Sequence, residues 1–184
     1  RAVPARLTLV TPPWNFPVAI PAGGVLAALA AGSAVALKPA EPAQRCGAVL
    51  AEAISSALTE VGAADALRVV TVDESGLGRQ LVSSPRVDRV ILTGAYATAE
   101  LFRTFRADLP LLAETSGKNA VIVTPSADLD LAARDVVASA FGHAGQKCSA
   151  ASLVVLVGSV ATSRRFHDQL LDAAHAMAAK AAAA

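Results

Sequence analysis

Along the whole chain, short runs of β-branched and aliphatic residues alternate with longer Ala-rich stretches whose apolar positions recur at helical spacing. That alternation predicts an α/β protein, a mostly parallel sheet with helices on its faces. Strands are expected at Leu7–Thr11, Ala34–Lys38, Leu67–Val72, Arg89–Thr93, Ala120–Thr124 and Leu153–Val157. Helices are expected at Ala22–Ala31, Ala43–Thr59, Ser75–Ser83, Ala97–Ala107, Leu129–Phe141 and Ser163–Ala178. Punctuation supports several boundaries: Pro42 opens the second helix, Gly62 closes it, and Asp128 stands where an N-cap belongs. No internal repeat is visible, and the Ala-rich tail after Asp172 is low in complexity.

Val18 to Leu37 has no charged residue and is about as long as a membrane span. It is rich in Ala and Gly, and Pro21, Gly23, Gly24 and Gly32 interrupt it, so a buried helix followed by a buried strand is the expectation.

Composition narrows the partners. The 184 residues are 54% hydrophobic, with 16 Lys and Arg against 15 Asp and Glu and a formal net charge of +1. So even a balance builds no field for nucleic acid or an anionic membrane, and a small molecule in a cleft is expected instead. The two cysteines, Cys46 and Cys148, lie far apart without metal-ligand spacing, which fits a reducing cytoplasm with a thiol free for chemistry. Cys46, inside the helical run QRCGAV, reads as a small core residue. Cys148, in FGHAGQKCSAAS, follows a helix and sits in polar, flexible backbone beside Lys147, where a thiolate forms more easily. His143 lies five residues earlier, and no third residue orients it, so it is read as structural rather than as half of a Cys/His dyad.

Five motifs in order, TPPWNFPVAIP, LKPAE, ILTGA, AETSGKN and GQKCSAAS, together resemble the aldehyde dehydrogenase superfamily over about Leu7 to His175. The pieces AETSGKNAVIV and ASAFGHAGQKCSAAS look most like the branch that oxidises glutamate semialdehyde, the pyrroline-5-carboxylate dehydrogenases. The resemblance implies a Rossmann-like sheet, with residues 1–113 part of an NAD-binding domain and 114–184 the first part of a catalytic domain. It makes Cys148 the nucleophile, Asn15 the side-chain donor to the oxyanion beside the backbone N–H of Cys148, and Glu114 the base that activates water against a thioester. It also puts Lys38 and Glu41 on the adenosine ribose, Thr93 and Gly94 at the pyrophosphate, and Trp14 at the cofactor, and it gives Ser149 a contact with the substrate carboxylate. An acidic residue at Glu41 repels a 2′-phosphate, so NAD is expected over NADP.

The chain departs from the family in places. Ala95 stands where a serine is frequent, which leaves phosphate binding to backbone donors. No GxGxxG pattern occurs. No Glu-x-Phe-Gly-Pro segment follows Ser149, so the chain is expected to be truncated at both ends and inactive alone. A full-length form is expected to be a homo-oligomer, with a proline dehydrogenase domain as a possible fusion partner. The competing readings are a nucleotide-binding remnant without turnover and a cysteine hydrolase or acyltransferase based on His143.

Overall fold

The computed structural model describes residues 3–73 and 76–182. Ser75, the expected start of the third helix, lies outside the described residues, as does Arg1. The chain divides into two compact units, Arg1–Ser116 and Gly117–Ala184. The division comes three residues after the one expected from sequence, so Glu114 belongs to the first unit.

The first unit runs β1 (Leu7–Thr11), α1 (Ala19–Ala30), β2 (Ala34–Leu37), α2 (Gln44–Glu60), β3 (Leu67–Val69), α3 (Leu77–Ser83), β4 (Arg89–Gly94), α4 (Tyr96–Phe105) and β5 (Leu111–Thr115). Its five strands are all parallel, in the order β3-β2-β1-β4-β5. A central strand of such a sheet is buried on both faces, and the sequence of β1 meets that demand. Leu9 packs with Val82, Val90 and Ala99 toward α3 and α4, while its neighbour Val10 packs with Val25, Ala28 and Ala51 of α1 and α2. Polar atoms in this core are paired: the hydroxyls of Thr8 and Ser33 lie 2.8 Å apart, both buried.

The uncharged stretch Val18–Leu37 forms α1 and then β2 in the expected order, but α1 buries only one face, with Pro21, Val25 and Ala28 inside and Leu26 half exposed. Among the described residues no helix is long and apolar enough to cross a membrane. Gly62 ends α2 in the left-handed region, φ 74°; its N–H reaches Thr59 O, and that of Ala63 reaches Leu58 O, the double closure that returns the chain to the sheet.

The second unit runs β6 (Asn119–Val123), α5 (Leu129–Phe141), β7 (Ala151–Leu156) and α6 (Arg164–Ala182). Asp128 caps α5 as its sequence position predicts, accepting from the N–H of Asp130 and Leu131. β6 and β7 pair in parallel, and Val121, Val123, Val154 and Leu156 pack with Val136 and Phe166 of α5 and α6. The other face of the pair carries Ile122, Leu153 and Val155, all exposed.

Strand ends shift by one or two residues in β2, β4, β6 and β7, and two strands differ more. β5 was not expected at all, and β3 is shorter, because β2 ends at Leu37 and leaves nothing to pair beyond Val69 except one bond from the N–H of Val70 to Leu37 O.

Candidate active site

In a parallel sheet all strands point the same way, so every strand-to-helix connection leaves from one edge, and ligands bind where the order of strands reverses. Here the reversal lies between β1 and β4. The connection after β1 carries Trp14, about half exposed, and Asn15, partly buried. β4 ends at Thr93 and Gly94 on the other side of the same crevice.

Lys38 follows β2 directly, and its N–H donates to Val10 O at 2.9 Å, which fixes its backbone beside the end of β1. Glu41 opens a single 3-10 turn, Glu41–Ala43, that leads into α2, and it is exposed. Glu114 is the fourth residue of β5 and pairs in register with Thr93 of β4, so the two sit side by side at this edge. Its side chain is exposed and has no hydrogen-bond or ion-pair partner among the described residues. An open depression over the β4–β5 pairing is lined by Ile91, Thr93, Leu111, Leu112, Ala113 and Glu114. The sheet of the first unit therefore gathers Trp14, Asn15, Lys38, Glu41, Thr93, Gly94 and Glu114 along a single edge.

The start of α4 suits an anion. Ala95, its N-cap, is extended and has no side chain to cap the helix, and the N–H groups of Tyr96 and Ala97 find no acceptor among the described residues. Free donors and the helix dipole both favour a phosphate there. With a cation at Lys38 and a carboxylate at Glu41 on the neighbouring connection, the donor set of this edge fits a dinucleotide.

Cys148 and Ser149 belong to the second unit. α5 gives way to a tight turn, Gly142–Gly145, in which three consecutive residues are left-handed: His143 at φ 57°, Ala144 at φ 56° and Gly145 at φ 69°. This reverses the chain ahead of a second turn closed by Ala150 N–H to Lys147 O at 3.0 Å, with Cys148 and Ser149 both exposed on it. Ser149 leads into the strand β7, so it has no helix to cap.

Sequence reasoning missed one participant. The side-chain amide of Asn119, first residue of β6, donates to the carbonyls of both Cys148, at 2.6 Å, and Ala150, at 3.1 Å. The available signal was a polar residue at the head of a strand five positions after Glu114. Cys46 also corrects its reading, since it is exposed. α2 turns Gly47 and Ala51 inward and leaves Cys46 outside.

A model of the aldehyde dehydrogenase family matches residues 1–183. The 1-pyrroline-5-carboxylate dehydrogenase of Geobacillus thermodenitrificans is 37% identical over a 179-residue alignment that covers 92% of this chain and 33% of that protein. Proline Utilization A of Corynebacterium freiburgense superposes with a TM-score of 0.83 at 56% identity, covering 93% of this chain and 17% of that one. The NADP-dependent glyceraldehyde-3-phosphate dehydrogenase of Bacillus halodurans, solved in complex with NADP, superposes with a TM-score of 0.81 at 33% identity over 91% of this chain and 34% of that one. The chain thus spans about a third of the length of the curated relatives it matches.

Proposed function

This chain belongs to the aldehyde dehydrogenase family, and from that premise we propose that it carries the nucleophile and much of the cofactor site of an enzyme that oxidises an aldehyde to a carboxylic acid with NAD. The substrate we propose is L-glutamate 5-semialdehyde, in proline catabolism. The names of the relatives, 1-pyrroline-5-carboxylate dehydrogenase and Proline Utilization A, support that choice. The observation that carries the reading is the gathering of Asn15, Lys38, Glu41, Thr93 and Glu114 along the carboxyl edge of one parallel sheet.

The thiolate of Cys148 attacks the aldehyde carbon. Charge then develops on the former carbonyl oxygen, where the Asn15 amide and the Cys148 N–H donate hydrogen bonds; removing one such donor costs about 2.7–4 kcal/mol in the transition state. The nicotinamide, when bound, supplies the two-electron acceptor that turns this adduct into a thioester. Glu114 takes a proton from the water that hydrolyses the thioester, releasing the acid and restoring the thiol. Its exposed carboxylate, unpaired among the described residues, is suited to meeting a water. Ser149 contacts the substrate carboxylate.

Lys38 and Glu41 hold the adenosine ribose, Trp14 lies against the cofactor, and Thr93, Gly94 and the start of α4 hold the pyrophosphate. Glu41 favours NAD because its charge opposes a 2′-phosphate. The first unit supplies the dinucleotide edge and the second begins the catalytic part. The complete enzyme is a cytoplasmic homo-oligomer in this reading, with a proline dehydrogenase domain as a possible fusion partner.

The reading is tested with a small activated ester. Mass spectrometry should find the acyl group on Cys148, absent in Cys148→Ala and longer-lived in Glu114→Gln, and calorimetry should detect NAD. An acyl group placed indifferently on Cys46 and Cys148, with no heat from NAD at millimolar concentration, would overturn it.

A further inference from the structure

We propose that Asn119 is a positioning residue for the nucleophile, setting the backbone that presents the Cys148 thiol. The inference deepens the assignment of Cys148 above and rests on it.

A primary amide carries two N–H groups on one nitrogen, and Asn119 spends them on two carbonyls of the same turn, those of Cys148 and Ala150. Ser offers one donor and Asp, when ionised, offers none, so the residue type matters as well as its place. The strand pairing is irregular at this point: Asn119 pairs with Ala151 and Ala120 with Leu153, which leaves Ser152 as an extra residue in β7. A bulge of this kind bends a strand and re-aims what precedes it.

The consequence for the nucleophile follows from peptide geometry. In a trans peptide the C=O of one residue and the N–H of the next point in opposite directions. Binding the Cys148 carbonyl to Asn119 therefore turns the Ser149 N–H away from β6. The N–H groups of Cys148 and Ser149 have no acceptor among the described residues, so the turn carries two adjacent free donors. Without Asn119 the Cys148 peptide can rotate, and the donors and the sulfur lose their common orientation.

The test uses the 184-residue chain and iodoacetamide, with exposed Cys46 as an internal reference on every molecule. Alkylation of both cysteines is followed by peptide mapping in wild type, Asn119→Ala and Asn119→Asp. In both variants the ratio of Cys148 to Cys46 rates should fall at least threefold, because a freed turn spends part of its time with the sulfur against apolar surface. Hydrogen exchange should stay slow in Ala120–Val123 and Leu153–Leu156 while quickening at Cys148–Ala151. A ratio within 1.5-fold of wild type in both variants overturns the proposal. Loss of protection throughout β6 and β7 in both also overturns it, since Asn119 would then be structural. Failure of Cys148 to accept an acyl group in the wild-type chain refutes the catalytic assignment instead, and leaves the alkylation ratio readable.

Discussion

Gly47 of α2 packs so closely on Pro39 that a Cβ added to it would lie 2.4 Å from Pro39 Cγ. Pro39 stands between Lys38 and Glu41, so this contact seats the connection that carries the proposed ribose contacts. Glycine inside a helix normally costs about 1 kcal/mol relative to alanine. Here the gain from alanine is outweighed, because a proline ring cannot move aside and overpacking of this kind costs about 1–3 kcal/mol. Gly47→Ala should lower the unfolding midpoint in thermal denaturation and weaken NAD binding in calorimetry. A raised midpoint would show that the connection yields at no cost.

Asp88 predicts an acid limb of stability. Its carboxylate accepts from the Arg6 side chain through Nε at 3.2 Å and Nη2 at 2.9 Å, from the Arg6 backbone N–H at 2.7 Å, and from Leu7 N–H at 3.2 Å. These bonds, the Arg6 side chain foremost, lower its pKa to about 2. An unfolded aspartate titrates near ~3.9. The stabilisation is therefore complete above about pH 4 and is lost as pH falls through about 2. Asp88→Asn should melt below wild type at neutral pH, and the gap should close between about pH 4 and pH 2. A gap independent of pH would sink this account. Because the cluster ties the amino ends of β1 and β4, opposite the candidate edge, NAD binding should be unchanged.

Ala144 holds φ 56° without the freedom of glycine. A left-handed L-residue costs about 1–2 kcal/mol. Glycine removes that strain but is more flexible when unfolded, so Ala144→Gly should stabilise the second unit by about 0.5–1 kcal/mol, and Ala144→Val should destabilise it. Chemical denaturation followed through unit-specific hydrogen exchange would measure both.

Glu41 sets the cofactor preference proposed above. Repulsion between exposed charges is worth about 1 kcal/mol, or roughly fivefold in affinity. Glu41→Gln should raise NADP affinity about fivefold relative to NAD in paired calorimetric titrations. An unchanged ratio would remove Glu41 from the discrimination.

Much of this architecture is legible in the sequence, for identifiable reasons. β1, β2 and β4 are aliphatic runs because they are buried in the middle of a sheet, and Asp128 and Gly62 mark helix ends because their chemistry is local. β5 escaped because LLAET lies at the sheet edge with Leu112, Ala113 and Glu114 exposed, and only its pairing with β4 makes it a strand. α4 stops at Phe105, short of the helix expected to Ala107, because Arg106 turns away and its guanidinium donates to the carbonyls of Ser84 and Val87. For the candidate site, motif order drew attention to Lys38, Glu41 and Glu114. The clamp by Asn119 could not be read from the motifs, since it joins residues 29 apart in sequence through a bulge in the β6–β7 pairing.

The outer side of β6 and β7 has a practical consequence. Ile122, Leu153 and Val155 form an oily strip in contact with water, and a molecule carrying a single net positive charge has almost no mutual repulsion to keep such strips apart. Self-association through this strip is therefore expected to grow with concentration, which light scattering across a dilution series would check.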